Sequence, residues 1–467
     1  MVAIEANQTQ AINPSTTHVA VLAFPFGTHA SPLLSLTCLL ASSAPHLTFS
    51  FFTTSRSNAS LSASKTVLPN LTLYDVSDGA PDDYVPSPID PEGEVELFMK
   101  VTPDNFRSAM ASGAARADFI ISDSFLSFAG DLAADVGAVW VSLWTGGPCS
   151  LSSHVYTDLL RDRVVPARCD EEMTLGFVPG LSGLRVRDLP EGVVSGRLDS
   201  VFARLLHTMG QEIHRADLVV LNTFDGLNPA VLSDLKTKFR QCLPLGPINL
   251  LAPLPPEPDR ESCLSWLERH EPRTVVFISF GTIMTPPAHE LAFLARGLES
   301  ARVPFLWSMR DAGRAKLPHG FLERVKGRGL VVGWAPQRAV LAHRAVAVFV
   351  THCGWNSVLE SLAGGVPMIG RPFIGDQRIN ARVVSHEWGI GVGFDTGFVS
   401  EKAVKAALEV MVRSPVGEEM REMARARAED AACAVDGGGS SRANFERLLG
   451  LICERGHVKV GGGQKVL

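Results

Sequence analysis

Two sets of residues in this sequence are of types and spacings that could do chemistry. The first is His29 with Asp123. His29 stands in the loop Phe24-Pro-Phe-Gly-Thr-His29, after the apolar run HVAVLAF of residues 18–24, and Asp123 ends a second apolar run, FIISD. If both runs are strands of one parallel sheet, both residues emerge at its carboxyl edge. A histidine oriented and charge-stabilised by a carboxylate is a general base suited to a phenolic or alcoholic proton. As isolated loop residues they would read as solvated polar groups; their place at strand ends facing a cleft favours the catalytic reading.

The second set lies between Trp334 and Gln377. Residues 345–350 read as a buried strand that feeds Thr351-His352-Cys353-Gly354-Trp355-Asn356-Ser357 and then a helical pattern. Free backbone N–H groups and the helix dipole at such a turn face an anion, so this is where an α/β protein holds phosphate. His352 follows the strand, where a ring N–H could offset phosphate charge. A planar Trp334 could stack on a flat base, with Gln337 hydrogen-bonding the nucleoside. Glu360 has two readings: Ser357-Val-Leu-Glu360 matches a capping box, and a carboxylate also suits a diol as double acceptor. Gly364-Gly365 ends the helix. Asp376-Gln377, an acid beside an amide, can bind several sugar hydroxyls, although a polar turn fits the same residues.

These residues must be positioned by a large scaffold. A chain of 467 residues and 50.2 kDa favours two domains, and 46% hydrophobic with 20% charged residues fits a globular protein with ample core. Near-continuous apolar strands at 18–24, 47–54, 119–123, 139–144 and 217–222 alternate with helical patterns, the first over 33–41. That alternation indicates an α/β fold with a parallel sheet covered on both faces. Residues 75–94, rich in Pro, Asp and Gly, read as a surface loop. A Pro-rich bridge at 251–258 marks the domain boundary. Beyond it a second series begins at 274–280 and continues at 304–309, 330–332, 346–350 and 366–370. Two doubly wound domains, 1–250 and 251–439, imply a ligand cleft between the carboxyl ends of both sheets, with a helix in 440–467 returning to the first. Residues 1–16 read as a loose polar leader and the Gly-rich end as a disordered tail.

The bulk numbers exclude some classes. A net charge of −6 and a pI near 6.1 argue against nucleic acid or an anionic membrane as main partner. Eight scattered cysteines without a C-x-x-C pair read as reduced cytosolic thiols. With no secretory leader pattern and no apolar run of membrane-spanning length, the expected address is the cytoplasm, and the sequons at Asn58 and Asn70 are incidental.

Residue for residue, 334–377 resembles the signature box of plant UDP-dependent glycosyltransferases of family 1. Phe24-Pro-Phe-Gly-Thr-His, Ser50-Phe-Phe-Thr-Thr, Val76-Ser-Asp-Gly, Arg187-Asp-Leu-Pro-Glu-Gly, His207-Thr-Met-Gly and Val276-Phe-Ile-Ser-Phe-Gly-Thr282 look like flavonoid 3-O-glucosyltransferases. The resemblance, from His18 to about Leu449, implies the GT-B fold: two facing Rossmann-like domains with an interdomain cleft. It implies His29 as base, Asp123 as its partner and Thr145 as a sugar contact. Ser279, Gly281 and Thr282 would lie near the pyrophosphate. Trp334, Ala335, Gln337, His352, Trp355, Asn356, Ser357 and Glu360 would hold the nucleotide, and Asp376 and Gln377 the sugar. Gly27, Glu92, Phe125, His154, Phe202 and Ile374 would line the acceptor site. By the same resemblance, Gln at the last box position goes with glucose and His with galactose. Relatives often carry an aromatic in place of Ile374, and some an uncharged amide in place of Glu92.

The implied reaction is inverting transfer of glucose from UDP-glucose to a flavonol or anthocyanidin hydroxyl, the 3-hydroxyl by likeness; another sugar such as galactose or rhamnose, or another phenol, is the alternative. No Asp-x-Asp motif is present, so leaving-group charge is expected to fall on His352, the helix near Asn356 and backbone amides. No cofactor and no metal are expected; the partners are the UDP-sugar and the flavonoid, bound by a monomer. A nicotinamide oxidoreductase would need Gly-x-Gly-x-x-Gly after the first strand, where this chain has Pro25-Phe-Gly-Thr-His-Ala, and the run Gly389-Ile-Gly-Val-Gly393 lies elsewhere. A non-catalytic sugar-nucleotide binder would need neither His29 nor Asp123.

Overall fold

A computed structural model of the chain describes residues 17–61, 68–81, 91–113, 116–165, 170–253, 255–282 and 284–458. The polar leader and the last nine positions lie outside the described residues; the first three residues of the stretch read as a disordered tail, Gly456, His457 and Val458, belong to the helix Ser440–Val458. Strands β1 (His18–Leu22), β2 (Thr48–Thr54), β3 (Leu71–Val76), β4 (Phe119–Asp123), β5 (Val139–Trp144), β6 (Leu218–Leu221) and β7 (Cys242–Pro244) form one sheet. A second contains β8 (Val275–Ser279), β9 (Phe305–Ser308), β10 (Gly329–Val332), β11 (Val346–Thr351), β12 (Met368–Gly370) and β13 (Gly391–Gly393). The orders are β3-β2-β1-β4-β5-β6-β7 and β10-β9-β8-β11-β12-β13, and the paired strands run parallel. Each order reverses once, between β1 and β4 and between β8 and β11, which opens a crevice at the carboxyl ends of those strands. This is the two-domain doubly wound architecture expected.

The apolar runs make such strands because both faces are covered. On β1, Val19 and Val21 point into a core with Leu33, Leu36, Phe49 and Phe51, while Ala20 and Leu22 face Phe52, Phe98, Phe106 and Ile120. In the second sheet Val276 and Ile278 pack with Leu291, Leu294 and Trp307. The opposite residues, Val275 and Phe277, join a core that runs through Phe349 and Trp355 into the first domain.

The chain crosses between the domains twice. The helix Ile248–Leu251 and Ala252 still belong to the first core, so the outward crossing follows Ala252. The return comes after the helix Pro415–Val435: the helix Ser440–Val458 inserts Phe445, Leu448 and Ile452 among Val19, Leu36 and Val220. Ser441 Oγ donates to Gly246 O at 2.5 Å, Asn444 Nδ2 to Pro244 O at 2.7 Å and Arg447 Nη2 to Gln241 Oε1 at 2.7 Å.

Three differences from the sequence reading stand out. The first helix spans Ala30–Ser43, longer than 33–41 at both ends. The stretch read as a loop to residue 94 already enters the helix Pro91–Gly113 at Pro91. Sheet-edge strands β3, β7 and β13 were not recognised. Both sequon amides are engaged: Asn70 Nδ2 faces the carbonyls of Ala41, Ala44 and Leu47, and Asn58 Nδ2 donates to Tyr74 O and Asp75.

Candidate active site

The strand registers bring the polar residues together. Leu22 on β1 lies beside Ser122 on β4, and Asp123 beside Leu143 on β5, so the loop carrying His29, the Asp123 carboxylate and Thr145 leave the sheet side by side. In the second sheet Thr351 lies beside both Ser279 and Gly370. The segments starting at Phe280, His352 and Arg371 therefore share one edge.

His29 Nδ1 is 2.8 Å from Asp123 Oδ2 and 3.1 Å from Thr145 Oγ1. The carboxylate can only accept, so Nδ1 carries the proton and Nε2 keeps its lone pair. The other oxygen of Asp123, a fully buried residue, accepts the Phe125 N–H at 2.9 Å, which fixes the carboxylate. The imidazole stays partly open at 23% exposure. It lies against Phe125 at 4.4 Å and Phe24 at 5.2 Å between ring centres, and Phe24 also meets Phe26 and Phe98. The imidazole thus sits among flat apolar rings, with Nε2 outside the bond to Asp123. Gly27, at φ +64, makes the turn that returns the chain to the helix carrying His29's neighbours.

Across the cleft, the helix Trp355–Ala363 begins after Gly354, an extended N-cap without a side chain. Its first intrahelical bond runs from Val358 N–H to Gly354 O at 3.0 Å, so the N–H groups of Trp355, Asn356 and Ser357 precede the ladder. The capping box read at Ser357 and Glu360 is absent: the helix starts two residues before Ser357, which lies inside its first turn. Gln337 Nε2 instead bridges Ser357 Oγ at 3.1 Å and Glu360 Oε2 at 2.7 Å. Burial pushes the Glu360 carboxyl up to about 7, against the pull of Gln337 and Arg338 and helped by Glu257. His352 is wedged between two glycines. A Cβ on Gly281, at φ +73, would lie 2.9 Å from its ring, and one on Gly354 only 2.5 Å. Burial lowers its pKa to about 4, so it is neutral at physiological pH and offers an N–H, not a positive charge. Ser279 ends β8 nearly buried, with Thr282 exposed just beyond.

Trp334 presents an exposed indole, at 54%, held from behind: its Nε1 donates to Glu257 and its backbone N–H to Glu261, both at 2.9 Å. Ala335 is buried beneath it. Asp376 is drawn into the interface, where burial raises its pKa while the Asn380 side chain and the Gly147 N–H oppose the rise. Gln377 Oε1 accepts the N–H groups of Phe373 at 2.8 Å and Ile374 at 3.2 Å. Its carbonyl is therefore spent on its own loop, and only the NH2 group can reach a ligand. Ile374 projects at 47% exposure.

The acceptor-side candidates are less uniform. Phe125 and Phe202 are partly buried rings of the same core. His154 is buried, packs edge-on to Trp144 at 5.9 Å, and is held near pKa 4 by desolvation. Glu92, in the first turn of the helix Pro91–Gly113, lines a cavity of about 300 Å³ with Glu96, Arg197, Asp199 and Arg204.

Across the cleft, Trp355 and Asn356 meet residues that sequence reading missed, Thr28, Gly147 and Asn222. Asn356 Nδ2 donates to Thr28 Oγ1 at 2.9 Å, next to His29. Trp355 Nε1 donates to Asn222 O at 2.8 Å, and a Cβ on Gly147 would meet both Trp355 and Asn380 at 3.0 Å. Of these only Thr28 adjoins a candidate site residue, His29, in the sequence. Among the described residues no group of three or more His, Cys, Asp or Glu is placed to hold a metal ion, and no helix is long and apolar enough to cross a membrane.

Comparison with known proteins gives a consistent picture. Residues 104–425 match the family described as UDP-glucoronosyl and UDP-glucosyl transferase. An anthocyanidin 3-O-glucosyltransferase of Vitis vinifera is 46% identical, over 93% of this chain and 97% of its own. A flavonol 3-O-glucosyltransferase of Arabidopsis thaliana is 45% identical over the same shares. The crystal structure of a UDP-glucose:anthocyanidin 3-O-glucosyltransferase in complex with UDP superposes with a TM-score of 0.89 at 36% identity, covering 94% of this chain and 99% of the other.

Proposed function

The chain belongs to the UDP-glucoronosyl and UDP-glucosyl transferase family, and from that premise we propose that it transfers glucose from UDP-glucose to the 3-hydroxyl of a flavonol or anthocyanidin, with inversion and without a metal. The observation that carries the reading is the placement of His29. Its Nδ1 is bound to Asp123 on a partly open ring packed against Phe24 and Phe125, and its loop is one hydrogen bond, Thr28 to Asn356, from the helix start opposite.

In the proposed reaction the flavonoid lies among Phe24, Phe26 and Phe125 with its hydroxyl at His29 Nε2. That nitrogen takes the proton as the oxygen attacks the anomeric carbon, and the bond from that carbon to the UDP oxygen breaks on the opposite face. The proton stays on the imidazole, which Asp123 stabilises through Nδ1–H. The departing diphosphate gathers charge where the N–H groups of Trp355, Asn356 and Ser357 and the neutral His352 ring can donate. Glu360 takes the ribose diol, Trp334 the base, and Gln377 and Asp376 the sugar.

The test is product formation. Purified protein is given UDP-glucose with a flavonol or an anthocyanidin, with and without EDTA, and the product's linkage and anomeric configuration are assigned by NMR. A β-linked 3-O-glucoside formed at the same rate in EDTA is expected. An α-linked product, a rate lost on chelation, or preference for UDP-galactose would sink the reading.

A further inference from the structure

The buried ion pair of Glu290 and Arg371 has no role in the reaction described above. Arg371 follows β12 and opens the loop that ends in Asp376 and Gln377; its N–H donates to Thr351 O at 2.8 Å. Its guanidinium meets Glu290 in two-pronged fashion, Nε to Oε2 at 2.8 Å and Nη2 to Oε1. The remaining face of the guanidinium grips the loop itself. Nη1 donates to Pro372 O at 2.6 Å, and the group lies over the Phe373 ring, 3.9 Å from its centre. That ring stands edge-on to Phe280 at 5.9 Å. Glu290, in the helix Ala288–Ala301, also accepts the Phe398 N–H at 2.9 Å. Gly397, at φ +91, allows the approach: a Cβ there would lie 2.7 Å from Oε1.

The two side chains are 11% and 5% exposed. A buried ion pair seldom stabilises a fold better than well-packed apolar residues of the same volume, so stability is a weak account of it. Orientation is a better one, because a planar fork held on two oxygens fixes direction as well as distance. What it directs is the segment 372–377, whose far end is closed by Gln377 Oε1 on the Phe373 and Ile374 N–H groups. We propose that Glu290 and Arg371 form a clamp that holds this loop in the orientation presenting Gln377 Nε2 and Asp376 to the donor sugar, making them positioning residues for donor-sugar selectivity. This rests on the reading that Asp376 and Gln377 hold the sugar.

Three variants test it: Arg371→Lys, which keeps the charge but loses the fork; the double exchange Glu290→Met with Arg371→Met, which leaves no unpaired charge; and Gln377→Ala as reference. For each, UDP affinity, the kcat and KM for UDP-glucose, the kcat/KM ratio of UDP-glucose to UDP-galactose and the melting temperature are measured. The clamp predicts UDP affinity within about twofold of the parent, since UDP has no sugar. It predicts kcat/KM for UDP-glucose down by about tenfold to a hundredfold, with the selectivity ratio falling too. A parallel loss of UDP and UDP-glucose affinity at constant selectivity would mean a merely structural pair and overturn the proposal. So would a folded double-Met variant with parental selectivity; if that variant does not fold, Arg371→Lys decides by the same criteria. Unchanged donor kinetics in Gln377→Ala would bring down the sugar-loop reading and the clamp together. Lost selectivity in Gln377→Ala beside parental selectivity in the clamp variants would bring down the clamp alone.

Discussion

Donor binding should depend on pH through Glu360. In the free protein this carboxyl is pushed up to about 7, chiefly by burial. A ribose diol donates two hydroxyl protons and needs the ionised form, so apparent affinity scales with the ionised fraction. For half-titration near 7, about three-quarters of the free protein is ionised at pH 7.5 and about 3% at pH 5.5. UDP-glucose affinity should therefore fall about 25-fold over that interval, equivalent to about 1.9 kcal/mol. UDP-glucose is the right ligand because its diphosphate, substituted at both ends, does not titrate there; His352, near 4, stays neutral throughout. Isothermal titration from pH 5.5 to 7.5, in buffers of different ionisation heat, reads both the affinity and the proton released on binding. Glu360→Gln should bind about 1.5–3 kcal/mol more weakly at pH 7.5 and show no slope. The free protein has the opposite dependence. A raised folded pKa contributes stability that is fully present below the ordinary carboxylate range and lost as pH rises toward 7, so Glu360→Gln should melt no lower than the parent at pH 8. A flat affinity profile in the parent, or a slope surviving in the Gln variant, refutes the argument.

Three other outcomes follow from the site. His29→Ala should cut turnover by about 10²–10⁴ with UDP binding retained, Asp123→Asn should cost less, and the double variant should be little worse than His29→Ala; steady-state kinetics with additive losses would separate the two residues. Gln377→Glu keeps an oxygen for the Phe373 and Ile374 N–H groups but loses the NH2 donor, so KM for UDP-glucose should rise while UDP affinity holds; Gln377→His should raise the relative use of UDP-galactose in a competition assay. Trp355→Phe leaves the Asn222 carbonyl without its indole donor and should cost about 1–3 kcal/mol by denaturant titration, an unchanged midpoint counting against the contact.

The architecture was legible where the strands are central. Residues 119–121 and 346–350 are apolar throughout because both faces of their sheets are covered, and that pattern survives in one dimension. Three of the four edge strands lack it: β3 alternates partly exposed residues, β7 is three residues ending in proline, and β13 is Gly-Val-Gly. Each is defined by pairing on one side, which only the folded sheet supplies. The identities at the site were legible in the loop to His29 and in the box from Trp334. What the residues do to one another was not. Gln377 reads as a free amide until its loop folds back on its oxygen, and Glu360 reads as a cap until the helix is seen to begin at Trp355. The Asn356–Thr28 and Trp355–Asn222 contacts join positions far apart in the chain, and no local pattern encodes them.

The double crossing of the chain also orders its assembly. The strands of the first sheet are made before those of the second, yet their core lacks Phe445, Leu448 and Ile452 until the second sheet has been made. During synthesis the apolar surface beneath them, with Leu36 of the first helix and Val220 of β6, waits uncovered while the second domain is built and folds. A chain cut before Ser440 would therefore leave that face bare to water, an apolar surface open to association, however well its second domain had formed.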